Sequence, residues 1–177
     1  GYYDKRYMHP DGVGAGGGPA GLSAAIAAAN AGASVILLDH ENAAGGHLLW
    51  GSDEDRAAAA DLITAAEAAG VEILENTTVT GRYEDNWISI VQRSHDISME
   101  RLIKARAKVL VVAAGTIERP YVFAGNDIPG VMTSGAVRRL INMYGVKPGT
   151  KAVVLTANES GDGAADDLRR AGVDVTV

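Results

Sequence analysis

Apolar positions fall into two kinds of pattern along this chain. Val35-Ile36-Leu37-Leu38 and Val109-Leu110-Val111-Val112 are short, unbroken apolar runs. Runs of that length without polar interruption suit strands buried on both faces of a parallel sheet. Between them the alanine-rich stretch 22–31 predicts a helix. A second helix is predicted over 53–69, entered through Ser52 as N-cap, with Asp53-Glu54-Asp55 in its first turn and Gly70 closing it. Val71-Glu72-Ile73-Leu74 reads as a third parallel strand. The period then changes. Residues 77–83 alternate, Glu84-Asp85-Asn86 makes a turn, Trp87-Ile88-Ser89-Ile90-Val91 continues as a strand, and 101–106 follows as another. This predicts a small antiparallel insert at about 77–106. Beyond it come a helix over 133–144 closed by Gly145, a turn at Pro148-Gly149, a strand at 151–156, a helix at 163–171 and a last strand at 173–177.

The first β-α-β unit carries the chemistry. Asp11-Gly12-Val13-Gly14-Ala15 leads into Gly16-Gly17-Gly18-Pro19-Ala20-Gly21, which spells G-x-G-x-x-G at the entry to the first helix. Gly16 permits the tight turn, Gly18 lets backbone approach a pyrophosphate, and Gly21 lets helix and strand pack closely. The helix N-terminus offers N–H groups and a partial positive charge to phosphate. Asp39 ends the second strand, where an acid can accept ribose hydroxyls. The predicted fold is α/β, a Rossmann-like FAD/NAD(P)-binding domain with a parallel sheet and a small antiparallel insert. Residues 1–10 are expected as a tail or linker, 11–147 as the dinucleotide-binding domain, and 148–177 as the start of a second, truncated β-α-β unit. Because a two-strand stub does not make a sheet of its own, the chain is expected to be part of something longer. One feature departs from the pattern: glycine at 12 and 14 weakens a strand interior, by up to about 1 kcal/mol each.

Composition narrows the function. The chain has 177 residues, 47% hydrophobic and 21% charged, with formal net charge −6. That charge does not attract nucleic acid. No segment reaches the roughly 20 apolar residues of a membrane helix. There is no cysteine, so disulfides, thiolate metal sites and cysteine catalysis are excluded, and a cytoplasmic location is expected. His9 and His95 have no partners at metal-ligand spacing, and no Ser/His/Asp spacing suggests a triad. No metal site and no catalytic residue is assigned.

Several further motifs carry a family resemblance. Tyr2-Tyr3-Asp4-Lys5-Arg6-Tyr7, Gly45-Gly46-His47-Leu48-Leu49-Trp50, Ile117-Glu118-Arg119-Pro120 and Asn126-Asp127-Ile128-Pro129-Gly130-Val131-Met132, with the fingerprint and the strand ending Ala113-Ala114-Gly115, resemble the two-dinucleotide flavoproteins. Within them the likeness is to α subunits of heterotetrameric sarcosine oxidases, and it covers nearly the whole chain. Gly12 and Gly14 depart from that pattern, and 156–160 lacks a second glycine fingerprint. The resemblance implies an oxidoreductase component that holds NAD at this first site. It implies FAD and FMN elsewhere in the assembly, other subunits, a small amine substrate, and a folate-binding region outside these residues. Motif chemistry alone leaves FAD in the same pocket, or a structural dinucleotide that never turns over, as alternatives.

The expected cofactor residues are Gly16, Gly18, Pro19, Ala20, Gly21, Asp39, His40, Glu41, Gly45, Gly46, His47, Val79, Ala113, Ala114 and Gly115. Each also has a plainer reading. Asp39 is a ribose ligand that repels a 2′-phosphate, or a solvated strand end. His40 and Glu41 touch the adenosine ribose or lie in solvent. Gly45 and Gly46 allow close approach to the cofactor or only a tight turn. His47 meets phosphate or nicotinamide, or is a polar loop residue. Val79 presents backbone to adenine or is a core valine. Ala113, Ala114 and Gly115 are small because the cofactor passes that strand end. Glu118-Arg119 reads as an ion pair or an interface contact, or more plainly as a solvated surface pair.

Overall fold

The computed structural model describes residues 4–93 and 99–177; His95, expected at the surface, lies outside them. The chain divides into two compact units, Gly1–Leu48 with Asp53–Gly115, and Leu49–Ser52 with Thr116–Val177. The division falls at 115/116 rather than at the expected 147/148, and a four-residue piece of the early loop groups with the second unit.

In the first unit a parallel sheet runs β4-β3-β2-β8, formed by β2 (Gly12–Ala15), β3 (Val35–Leu38), β4 (Glu72–Leu74) and β8 (Val109–Val112). The apolar run of β3 is buried on both faces, as a central parallel strand requires, whereas that of β8, expected to be buried likewise, lies at the end of the sheet order and leaves Val109, Val111 and Val112 exposed. Val35 and Leu37 join a core with Leu22, Ala25, Ala66 and Val71 from α1 (Pro19–Asn30), α2 (Asp53–Ala68) and the entry to β4. Ile36 and Leu38 face the other way, into a core with Val13, Ile88, Ile90 and Ile103.

That second core is roofed by a four-stranded sheet, order β1-β7-β6-β5. Here β5 (Thr77–Arg82), β6 (Trp87–Arg93) and β7 (Glu100–Arg106) pair antiparallel. The expected tail is partly a strand: β1 (Asp4–Met8) pairs parallel with β7. The half-buried Asp4 carboxylate accepts from Arg101 Nε, and Arg6 meets Glu72 at 2.9 Å. The polar alternation of Asp4-Lys5-Arg6-Tyr7-Met8 hid this strand, because its apolar face is completed only by Met8.

The pairings β1–β7 and β2–β8 share one register. Asp4 faces Arg101, 97 positions away, and the same offset carries Met8 to Ala105 and Gly12 to Val109. Between them Lys108 and Val109 both donate N–H to Asp11 O at 3.0 Å. Two chain segments therefore run side by side from one sheet into the other.

The glycines of β2 have separate explanations. A Cβ on Gly14 would lie 2.6 Å from Leu37 Cδ1, so glycine here makes room for a fully buried leucine. A Cβ on Gly12 would meet Val35 at an ordinary 3.7 Å, and nothing in the structure requires glycine there. Both line a cavity of about 450 Å³ between α1 and β8, with Ala24, Ala28, Val109 and Val111.

The start of β2 is held by a polar clasp. Asp11 Oδ2 accepts from Ser34 N (2.8 Å) and Ser34 Oγ (2.8 Å), Ser34 Oγ accepts from Asp11 N (2.9 Å), and Lys108 Nζ lies 2.7 Å from Asp11 Oδ1. The Lys108 ammonium and the Ser34 donors hold the Asp11 carboxyl well below the usual carboxylate range. Asp11 in turn raises Lys108.

In the second unit the two late strands do form a sheet of their own, contrary to the expectation for a stub: β9 (Lys151–Val153) pairs in parallel with β10 (Asp174–Thr176), and α3 (Ser134–Asn142) and α4 (Glu159–Arg170) supply a core around Val137, Leu168 and Val173. Glu118 is not simply a solvated partner of Arg119. Its carboxylate accepts from Ser134 Oγ and from Gly135 N (2.7 Å), so it caps the first turn of α3. Buried Asp167 accepts from Arg138 Nε (2.8 Å), Asn142 Nδ2 (2.7 Å) and Arg170 (2.6 Å), while the Arg138 guanidinium lies 5.2 Å from the Trp50 ring centroid.

Candidate functional site

At the carboxyl end of the parallel sheet, β2 passes into α1 through the glycine fingerprint. Gly16 takes φ +115°, donates its N–H to Leu38 O (2.9 Å), and would place a Cβ 2.2 Å from Ala113 O. Only glycine fits that turn. A Cβ on Gly21 would sit 1.8 Å from Gly16 O, so the third glycine is fixed by helix–loop packing. Gly18 differs, because its Cβ would meet nothing nearer than Gly46 Cα at 3.8 Å. The protein's own packing does not demand glycine at 18.

Helix α1 begins at Pro19, whose missing N–H costs nothing at the first helical position. Gly18 is the N-cap and makes no side-chain cap bond, and the first turn holds no acid. The helical ladder starts with Leu22 N–H to Gly18 O (2.9 Å). The amides of Ala20 and Gly21 therefore have no carbonyl within the helix to bond. An uncapped N-terminus ringed by glycine is the donor set that suits a pyrophosphate.

A second glycine loop leans on the first. Gly45 (φ +131°) donates its N–H to Gly17 O at 2.8 Å. Gly46 (φ +57°) would bring a Cβ within 2.8 Å of Gly18 Cα. Glu75 anchors this loop by accepting the Ala44 N–H (3.1 Å). Sequence reasoning missed Glu75; its signal was an acid at the end of a parallel strand, before Asn76 at φ +52°.

Asp39 is not a solvated strand end. It is 4% exposed, and its carboxylate accepts from Gly17 N (2.9 Å, Oδ2) and Glu41 N (2.9 Å, Oδ1). Gly17 was also missed: a Cβ there would lie 2.7 Å from Asp39 Oδ2. The acid thus ties the glycine loop after β2 to the segment that follows β3. His40 beside it is exposed, with Nδ1 3.4 Å from Asp39 Oδ1 and Nε2 3.3 Å from Glu41 Oε1. The Glu41 carbonyl accepts from Asn76 N (2.7 Å).

The structure brings residues 16–21, 39–41, 44–46 and 113–115 together through these contacts. Ala113 donates its N–H to Ala15 O (2.8 Å), and Gly115 turns away at φ +72°. His47 is exposed in a 3₁₀ turn at Gly46–Trp50. Val79 lies on β5 with its side chain packed against the core between the sheets. That is the core-valine arrangement for the side chain. Its strand joins the cluster where Thr77 donates its N–H to Asp39 O (2.7 Å). Among the described residues, no group of three or more His, Cys, Asp or Glu is placed to hold a metal ion, and no helix is long and apolar enough to cross a membrane.

Residues 15–177 match the family model of pyridine nucleotide-disulphide oxidoreductases. The chain belongs to that family. It is 42% identical over 99% of its length to the sarcosine oxidase alpha subunit of Corynebacterium sp. (strain P-1), of which it covers 20%. It is also 42% identical over 98% of its length to the protein of the same name in Rhizobium meliloti (strain 1021), covering 19% of that protein. The chain therefore spans about a fifth of these relatives. Among solved structures, L-proline dehydrogenase from P. horikoshii superposes with a TM-score of 0.84 at 24% identity, over 97% of this chain and 36% of that one. That likeness shows the α/β dinucleotide-binding fold. The resemblance to sarcosine oxidase α subunits, read first from short motifs, thus extends along nearly the entire chain. With no cysteine, these residues carry none of the disulphide chemistry in the family's name.

Proposed function

We propose that this chain is the dinucleotide-binding portion of the α subunit of a hetero-oligomeric, sarcosine oxidase-like flavoenzyme, and that its pocket holds NAD. The observation that carries the reading is the uncapped start of α1 under two interlocked glycine loops, with buried Asp39 at the adjoining strand end. Amides of residues 20–21 face the pyrophosphate, the glycines at 18 and 46 give it room, and Asp39 with its neighbours meets the adenosine ribose. An acid at that position favours an unphosphorylated ribose.

A bound dinucleotide supplies hydride or electron transfer, and the protein supplies binding, orientation and exclusion of water. In the whole enzyme, an N-methyl amine such as sarcosine loses two electrons to flavin outside these residues, and O2 takes them up. Heterotetramer assembly, a cytoplasmic location, and a folate site elsewhere in the full-length polypeptide belong to the same proposal. Support comes from the 42% identity to sarcosine oxidase α subunits and from the 30% identity to an opine oxidase component of Rhizobium meliloti (strain 1021), whose name likewise marks it as one part of a multi-subunit oxidase.

The test is to purify the full-length enzyme, release its cofactors, and assign each to a site by photo-crosslinking and peptide mapping. NAD linked to the peptide spanning 16–21 supports the reading. Flavin on that peptide replaces it with the FAD alternative. If NAD is found there but its absorption never changes on mixing with amine substrate, the dinucleotide is structural.

A further inference from the structure

The ribose end of the pocket holds a cluster that the fingerprint does not predict. Residues 39–47 contain two histidines and no lysine or arginine. Glu75 adds a third acid to Asp39 and Glu41, through its contact with Ala44. His40 lies between two of the three, one ring nitrogen 3.4 Å from Asp39 and the other 3.3 Å from Glu41. Its side chain is 70% exposed, whereas those of Asp39 and Glu41 are 5% and 20% exposed.

A 2′-phosphate on the adenosine ribose needs cationic or donor partners, because it brings nearly two negative charges into the site. His40 stands where such a partner belongs. Both its nitrogens, however, are within reach of carboxylates. We propose that Glu41 is a specificity-determining residue of this pocket: it holds the His40 imidazole between two acids, denies it to a 2′-phosphate, and so restricts the site to dinucleotides with an unphosphorylated adenosine ribose. This rests on the reading of the pocket as a dinucleotide site. It assigns to Glu41 and His40 a discrimination otherwise expected of Asp39 alone. The device works by an unfavourable element as much as a favourable one. Asp39 is committed to the Gly17 and Glu41 amides, so it is a fixed part of the floor.

The substitution Glu41→Gln keeps the side chain's size, removes one negative charge, and takes away the charge attraction that holds His40 Nε2. The experiment measures ADP-ribose and 2′-phospho-ADP-ribose binding by calorimetry on full-length protein stripped of cofactor. Four forms are compared: wild type, Glu41→Gln, His40→Ala and the double variant. Wild type is expected to bind ADP-ribose and reject the 2′-phosphorylated probe. Glu41→Gln is expected to gain about tenfold for the phosphorylated probe relative to ADP-ribose, the scale of one charge-assisted hydrogen bond. His40→Ala is expected to show no gain, and the double variant to lose it, since coupled residues are non-additive. A gain that persists without His40 overturns the tether, as does no gain in Glu41→Gln with ADP-ribose binding intact. In both cases the dinucleotide reading stands. A wild type that binds neither probe overturns both readings.

Discussion

Replacing Asp39 by asparagine tests whether this acid holds the phosphate loop or only waits for ribose. The carboxylate receives two backbone N–H groups, from Gly17 and Glu41, each at 2.9 Å and each on a different oxygen. An amide has one acceptor oxygen and one NH2 group. One of the two backbone donors must then face another donor, in a place that is 4% exposed. Leaving a buried donor unpaired costs about 1–3 kcal/mol, and the surviving bond loses its charge assistance. Removing a buried charge returns part of that. The net expectation is a loss of about 2–3 kcal/mol in the stability of the first unit. Urea unfolding followed by Trp87 fluorescence measures it, with Trp50 replaced by phenylalanine in both backgrounds, because Trp87 lies in the first unit and Trp50 groups with the second. ADP-ribose affinity should drop in the same variant, because the loop presenting the helix amides is no longer held. A change within about 0.5 kcal/mol, the range of an ordinary surface substitution, would refute the clasp.

Other outcomes separate ligand space from packing. Gly18→Ala should impair dinucleotide binding while leaving the unfolding midpoint nearly unchanged, since a Cβ there has 3.8 Å of clearance. Gly21→Ala should instead unfold the loop, with its Cβ 1.8 Å from Gly16 O; circular dichroism and calorimetry distinguish the two. Asp11 has a folded pKa well below its unfolded value of about 3.9, so its contribution is present above that value and is lost as pH falls through the folded one. Asp11→Asn should therefore flatten the acid limb of the stability–pH curve below about pH 4, and an unchanged slope contradicts the clasp with Ser34 and Lys108. In the second unit, Asp167→Ala should cost about 2–3 kcal/mol, less than the ~3–5 of a fully buried pair because Arg170 is exposed; thermal unfolding reads it directly.

The sequence made some of this legible and hid the rest for physical reasons. The β3 run was readable because burial on both faces leaves no polar positions; the β8 run has the same pattern, although Val109, Val111 and Val112 stand exposed at the end of the sheet order. The fingerprint was readable because Gly16 and Gly21 are dictated by sterics that any side chain violates. The strand β1 was not, since its partner lies far away and its composition is mostly charged. The hold of Asp39 on the glycine loop was hidden because its partners are backbone amides, which every residue has. Glu118 read as half of a surface pair because Arg119 is its neighbour in sequence, whereas its partners are at the start of α3. That Leu49–Ser52 groups with the second unit had no local signal at all.

The constant register between the segments beginning at Asp4 and Arg101 has a consequence for how the protein is made. The hairpins of the insert are local and can close early, whereas β1, and β2 on the side away from β3, must wait for partners 97 positions downstream. At a synthesis rate of about 5–20 residues per second, the chain spends several seconds with its glycine loop translated but without a floor. The carbonyl of Ala113, against which Gly16 turns, is among the last parts of the first unit to emerge. A pause in translation within the insert therefore prolongs the interval in which the β8 side of β2 lies unpaired.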